Sequence, residues 1–376
     1  MMMQKTRSKR LVMALSATLL MAGLSNPAVA DPGAARQVID LESEAGRFSG
    51  AVIVLKDGVP IVDQGWGLAD RATGRLWQTS TPTRYASVTK QITALLVFQE
   101  IQGGRIELGA PLSRYIKAAP AWAGMVTIEH LLRHTSGLRE ADTGESFDFP
   151  FHPASSAAAL ARPLTQANRI CSDAPVAAPG TEFKYGDCEY YWLGAVLEQL
   201  TGQSWDQLAQ DRIARPLGLS SWSVARPGPD VTARGYVSGD TLEPAPGLWA
   251  YSSAAGMTGT LADIARFERA LVRSELLDPE WTARMLAGRE ENQSHAMGSW
   301  SYVLPFDGQE IRFVERQGWV GGVRLIMISL PDEDLVIAMV SNDPDTRLDG
   351  AWNPEGFVSR VIRASRSDRQ VARPPS

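Results

Sequence analysis

The stretch RYASVTKQITALLVFQE, residues 84–100, sets Ser87 and Lys90 three positions apart at the mouth of a run, Ile92 to Phe98, that is apolar nearly all round. A helix with no polar face is a buried helix. Residues at i and i+3 share one side of it, so Ser87 and Lys90 are expected to lie together. A serine hydroxyl is a poor nucleophile until a base takes its proton, and a lysine buried beside it can have its pKa lowered enough to do so. The helix N-terminus adds a positive field and free backbone N–H groups that suit an oxyanion. The competing reading is structural, with Ser87 capping the helix and Lys90 snorkelling to solvent. The rest of the chain must choose between them.

Lys5, Arg7, Lys9 and Arg10 precede the apolar LVMALSATLLMAGL, and Ala28-Val29-Ala30 offers a small-x-small cleavage site before Asp31. Residues 1–30 therefore read as a secretory signal peptide, too short for a membrane span. No cysteine follows the apolar run, so a lipid anchor is not expected, and the mature chain reads as periplasmic or secreted. Removal of those four basic residues takes the formal net charge from -5 to -9. A negative chain without a Lys/Arg run argues against nucleic acid or anionic membrane as partner. A monomer is expected. Cys171 and Cys188 are the two cysteines, and in an oxidising compartment a disulfide between them is the leading reading, worth about 3 kcal/mol if unstrained. Two free buried thiols are the alternative.

Strand signals gather at the two ends of the chain. Val52–Leu55 and Ile61–Trp66 flank an Asp57-Gly58 turn and read as a hairpin. GQEIRFVERQGWVGG, VRLIMISLPDE and DLVIAMVSND are three further strand candidates, followed by a closing helix in NPEGFVSRVIRAS. Residues 87 to about 275 are mostly helical patterns with long loops, and Thr260-x-x-Asp263 resembles a capping box. The expected fold class is α/β (α+β): an antiparallel sheet from both chain ends, flanked by helices, with a helical lobe inserted over about 105–250. The domain would run over 31–366, with 367–376 a disordered tail. A cleft between sheet and lobe is the default site.

Five blocks in order, RYASVTKQITALLVFQEIQGGRIELGAPLSRYI, VTIEHLLRHTSGL, PGTEFKYGDCEYYWLGAVLEQLTGQSWDQLAQDRIARPLGL, SSAAGMTGTLADIARF and ERQGWVGGVRLIMISLP, carry a family signal. Over nearly all of the mature chain the sequence resembles the serine β-lactamase and penicillin-binding-protein superfamily, in its class C β-lactamase, D-stereospecific peptidase and esterase branch. The resemblance implies the β-lactamase/transpeptidase-like fold, Ser87 as the acylated serine and Lys90 as its partner. Tyr185 matches the family's Tyr-x-Asn tyrosine and would act as general base in acylation. Arg316-Gln317-Gly318 falls where the family carries Lys-Thr-Gly or His-x-Gly. The N–H groups of Trp319 and Ser87 would then form the oxyanion hole, with Gly318 letting substrate lie close to the strand.

Two departures bear on substrate. Asp187 stands where the family usually has asparagine, and a carboxylate only accepts hydrogen bonds. Beside Lys90 it should hold the lysine protonated, leaving Tyr185 as the base. Arg316 cannot shuttle protons but can grip a carboxylate, either the substrate's or that of Asp187. Both changes weaken the case for β-lactam hydrolysis. The expected activity is hydrolysis of an ester or amide bond through an acyl-enzyme on Ser87, as a carboxylesterase or D-amino-acid peptidase. A β-lactamase or DD-carboxypeptidase is the alternative, and a degenerate penicillin-binding-like ligand-binding protein is the non-enzyme reading. No cofactor or metal is expected. His130 and His134 lack a zincin's acidic partner and read as structural. Ser172-Asp173-Ala174 would be the second element of a class A-like layout, a reading ranked below Tyr185. Trp249 and Tyr251 read as cleft lining, and residues 145–153 as a loop that could shape the pocket.

Overall fold

The hairpin at the N-terminal end forms as its turn residues dictate. Strand β1 (Gly50–Lys56) and strand β2 (Val59–Trp66) are joined by Asp57 and Gly58, both at positive φ (51° and 78°), the backbone a tight primed turn requires. The computed structural model describes residues 33–139, 162–226, 232–243, 247–288 and 294–367. The expected signal peptide, the 145–153 stretch and all of the expected tail beyond residue 367 lie outside the described residues.

Four strands from the C-terminal end complete the sheet: β3 (Trp300–Phe306), β4 (Gln309–Val320), β5 (Val323–Leu330) and β6 (Leu335–Ser341). Their order is β3-β4-β5-β6-β1-β2 and every neighbouring pair is antiparallel. The chain ends meet at the centre, where β1 pairs with β6 from Gly50↔Ser341 to Lys56↔Leu335. Strand β3 is the element the sequence reading passed over. Its signal was present as the Asp307-Gly308 turn at positive φ (52° and 76°) after SYVLPF.

Alternation across β1 and β6 explains why both read as unbroken apolar runs. Val52, Val54, Leu335, Ile337 and Met339 join one core with helix α1 (Gly33–Glu44) and the C-terminal helix, whereas Ala51, Ile53, Val336, Ala338 and Val340 join a second, larger core. Helix α2 (Thr89–Gln102) lies in that second core with helix α3 (Cys188–Thr201) and helix α4 (Leu261–Val272). Helix α5 (Phe357–Arg366) closes the chain beside α1. Almost every residue of α2 is buried, as its all-round apolar pattern requires. The polar exceptions are partnered: Thr93 Oγ1 donates to the Ser253 carbonyl (2.7 Å) and Gln91 Nε2 to Glu268 (2.9 Å). The capping box expected at α4 is half formed. Thr260 Oγ1 accepts the Asp263 N–H, but the Asp263 carboxylate accepts from the N–H and hydroxyl of Ser221 instead.

Cys171 and Cys188 form a disulfide. It ties the first residue of α3 to the end of the helix Pro163–Ile170, directly after Asp187. Among the described residues, no helix is long and apolar enough to cross a membrane.

Candidate active site

Ser87 sits two residues before α2, in the 3₁₀ turn Ala86–Val88, and is half-buried. Its predecessor Ala86 has φ of 47°, a left-handed conformation that costs an alanine of the order of 1 kcal/mol and persists only where the surroundings impose it. Those surroundings are identifiable. Tyr85 is fully buried, its N–H bonded to the Met257 carbonyl and its hydroxyl to that of Thr260, while Ala86 packs against Leu248, Val320 and Tyr251. Tyr251 thus borders the serine turn.

The Lys90 ammonium is wholly buried and has three acceptors for its three N–H bonds: the Asp187 carboxylate, the Ala254 carbonyl (3.2 Å) and Ser87 Oγ (3.5 Å). Burial alone would push its pKa down, but the opposing charge of Asp187, with Tyr185, outweighs burial and leaves it above the ordinary lysine value. Asp187 is the N-cap residue of α3, yet its side chain makes no cap bond and turns to the lysine. Lys90 is therefore a fixed cation, with no lone pair to take the serine proton.

Tyr185 precedes α3 and is 36% exposed. Its ring lies 4.9 Å from Lys90 Nζ, so one ammonium touches both serine and tyrosine. Arg316 approaches from β4. Its Nε donates to the Ser87 carbonyl (2.8 Å) and its Nη2 to the Tyr185 hydroxyl (2.7 Å), while the guanidinium stacks on Trp300 at 4.5 Å. Only 2% of Arg316 is exposed. The anticipated pairing of Arg316 with Asp187 is replaced by this arrangement, because Lys90 takes the carboxylate. Trp300 was missed in the sequence, since the strand that carries it was missed.

Two-residue alternation puts Arg316 and Gly318 on the face toward Ser87, and Gln317 on the other face with Glu315. Gln317 Nε2 donates to Glu315 Oε1 (2.7 Å), so its amide serves the strand's far side. There Tyr302 also donates to Glu315 (2.5 Å), whose pKa burial pushes up to about 7. Gly318 is where the strand presses on the serine turn: a Cβ there would come within 2.2 Å of the Tyr85 carbonyl oxygen. Strand β3 ends its pairing at Trp300↔Glu315, and among the described residues no strand pairs with that edge of β4 beyond it, where β4 passes the serine turn. The Trp319 indole itself is 56% exposed and stacked by Arg324 at 4.6 Å.

Ser172 is exposed and donates to the Asn168 carbonyl (2.5 Å). Trp249 is half-buried just before Tyr251. His130 Nδ1 accepts the Thr127 N–H and His134 Nδ1 the Gly186 N–H. Among the described residues no group of three or more His, Cys, Asp or Glu could hold a metal ion.

Comparison with known proteins places the chain in a class, that of serine hydrolases of the beta-lactamase fold. The chain belongs to the beta-lactamase family, whose model matches residues 33–356. It is 29% identical over 304 residues to penicillin-binding protein 4 of Amycolatopsis lactamdurans, covering 73% of this chain and 76% of that one. It is 33% identical over 212 residues to esterase EstB of Burkholderia gladioli, spanning 54% of each chain. The D-amino acid amidase of Ochrobactrum anthropi SV3 superposes with a TM-score of 0.71 at 19% identity, over 90% of this chain and 99% of that one, a likeness of fold.

Proposed function

We propose that the protein is an exported hydrolase of ester or amide bonds, acting as a carboxylesterase or on D-amino-acid derivatives. Ser87 Oγ attacks the carbonyl carbon while its proton passes to the Tyr185 oxygen, which accepts it as the phenolate beside the Lys90 and Arg316 cations and so becomes the phenol. The phenol returns that proton to the leaving alcohol or amine as the C–O or C–N bond breaks. Water then releases the acyl group from Ser87 by the same route. The observation that carries this reading is the set of three acceptors around Lys90, which makes the lysine an electrostatic aid and leaves the tyrosine to move the proton. Arg316 meets charge that develops on the phenol oxygen. The N–H groups of Ser87 and Trp319 hold the oxyanion.

Two features favour neutral esters and amides over β-lactams or C-terminal carboxylates. Asp187 offers no amide donor, and the Arg316 guanidinium is buried against Ser87 and Tyr185. Export rests on the signal peptide read over residues 1–30. The test is fluorophosphonate labelling of wild type and Ser87→Ala, followed by rates on p-nitrophenyl esters, D-amino-acid amides and nitrocefin. Labelling that vanishes in Ser87→Ala, with esters or D-amides turned over faster than nitrocefin, is the expected result. Labelling that survives the substitution, or a folded wild type that never labels, overturns the proposal.

A further inference from the structure

His134, in the RHTSGL stretch, takes no part in the chemistry above, yet it contacts the tyrosine segment at three points. Its carbonyl accepts the Lys184 N–H (2.8 Å), its Nδ1 accepts the Gly186 N–H (3.3 Å), and its ring lies 4.6 Å from that of Tyr185. The backbone at His134 is left-handed, φ 55°, a conformation that histidine and asparagine enter more readily than most residues. A nitrogen that accepts an N–H carries no proton of its own, so the ring proton belongs on Nε2. Glu189 Oε2, also buried and without a hydrogen-bond partner among the described residues, stands 3.6 Å from Nδ1, so it competes for that nitrogen with the Gly186 N–H, which at 3.3 Å lies within hydrogen-bond distance. Burial, opposed by Glu189, holds the imidazole pKa below its ordinary value, so the ring is neutral.

The other nitrogen leads to a second feature. His134 Nε2 and Ser299 Oγ are both buried with no hydrogen-bond partner among the described residues. Both residues line one small cavity of about 10 Å³, together with Phe183, Tyr185, Trp300 and Arg316. That volume is roughly what one water needs, and two unpaired polar groups are what retain one.

We infer that His134 is a positioning residue for Tyr185: a neutral Nε2–H imidazole that pins the Gly186 N–H and, with Ser299 Oγ, holds a single water in the small pocket that Tyr185 and Arg316 also line. The inference rests on Tyr185 as the proton carrier proposed above. Arg316 holds the Tyr185 hydroxyl directly, and His134 braces the ring and the backbone on either side of it, so the two together set where the phenol stands relative to Ser87.

The test compares wild type, His134→Asn and His134→Ala as full-length mature protein. Asparagine keeps an acceptor near the Nδ1 position and tolerates the left-handed backbone, whereas alanine offers no acceptor. Fluorophosphonate labelling of Ser87 should slow by about tenfold or more in His134→Ala and recover to within about threefold of wild type in His134→Asn, because small misplacements of a catalytic group are costly. KM for a p-nitrophenyl ester should move less than kcat. An alanine variant as fast as wild type, or an asparagine variant as slow as alanine at equal folded fraction, overturns the inference. The ¹⁵N signals of the imidazole supply a readout independent of activity, practical in a chain with 4 histidines. A bare Nδ1 and a protonated Nε2 from pH 6 to 8 are expected, and an imidazolium or an Nδ1–H form overturns the assignment. If wild type never labels, the hydrolase reading fails while the tautomer still decides the bracing geometry.

Discussion

The ammonium of Lys90 is held by the carboxylate of Asp187, across 97 positions of chain and in a place where the lysine has no exposure to water. Removing one member of such a pair leaves a buried charge without compensation. Asp187→Asn is expected to lower stability by about 3 kcal/mol, read from urea unfolding. The same change restores an amide donor, so nitrocefin turnover should rise relative to ester turnover. An unchanged ratio would contradict the role given to Asp187.

Arg316 makes two directed hydrogen bonds from one planar group, to the Ser87 carbonyl and the Tyr185 hydroxyl. Lysine has the charge but one point of attachment. Arg316→Lys should therefore reduce kcat on a p-nitrophenyl ester by on the order of tenfold, and Arg316→Gln by more, because the charge is lost too. Equal activity of the lysine variant and wild type would show that the fork geometry is unimportant.

Gly318 has no room for a side chain. An added Cβ would lie 2.2 Å from the Tyr85 carbonyl oxygen and 3.3 Å from the Ala86 Cβ, and a backbone oxygen cannot swing aside. Gly318→Ala should push β4 from the serine turn and slow acylation by about a hundredfold, since the oxyanion donors move with it. Stopped-flow acylation rates set beside the melting temperature would separate this from simple unfolding.

Glu268 of α4 accepts hydrogen bonds from Ser329 Oγ (2.7 Å) and Gln91 Nε2 (2.9 Å), and burial pushes its pKa up to about 7 from an ordinary 4.5. A raised carboxyl pKa means that the folded state holds its proton where the unfolded chain has already lost it. The folded state is therefore favoured at acid pH and loses up to about 3 kcal/mol as pH rises through 4.5 to 7, staying lower above that. Glu268→Gln should remove this slope and be the more stable form at pH 8. The Gln91 Oε1 atom, buried and without a hydrogen-bond partner among the described residues, can turn to accept from the new amide. Urea titrations at pH 5 and pH 8 on both proteins are the check, and parallel slopes would refute it.

Much of this was legible in the chain. All-round apolarity marks α2 as buried, Asp57-Gly58 marks the first hairpin, and β-rich runs joined by glycine and Pro-Asp turns mark β4 to β6. Strand β3 escaped because SYVLPF is short, contains a proline and shows only a partial alternation. The clasp between Arg84 and Glu243 escaped for a different reason. Both are buried, and Glu243 also takes the Gly322 N–H (2.6 Å), yet each reads as an ordinary surface charge in a loop.

Composition, periodicity and turn residues alone marked five of the six strands of the main sheet, the interior helix, and Ser87 beside Lys90, because those properties follow from neighbours a few residues apart. Which carboxylate Lys90 meets, what Arg316 holds, that Gln317 turns away from Ser87, and that His134 braces Tyr185 were decided by the tertiary structure. Those contacts join residues tens to hundreds of positions apart, and only the closing of both chain ends into one sheet over α2 sets the distances at which charges and hydrogen bonds act.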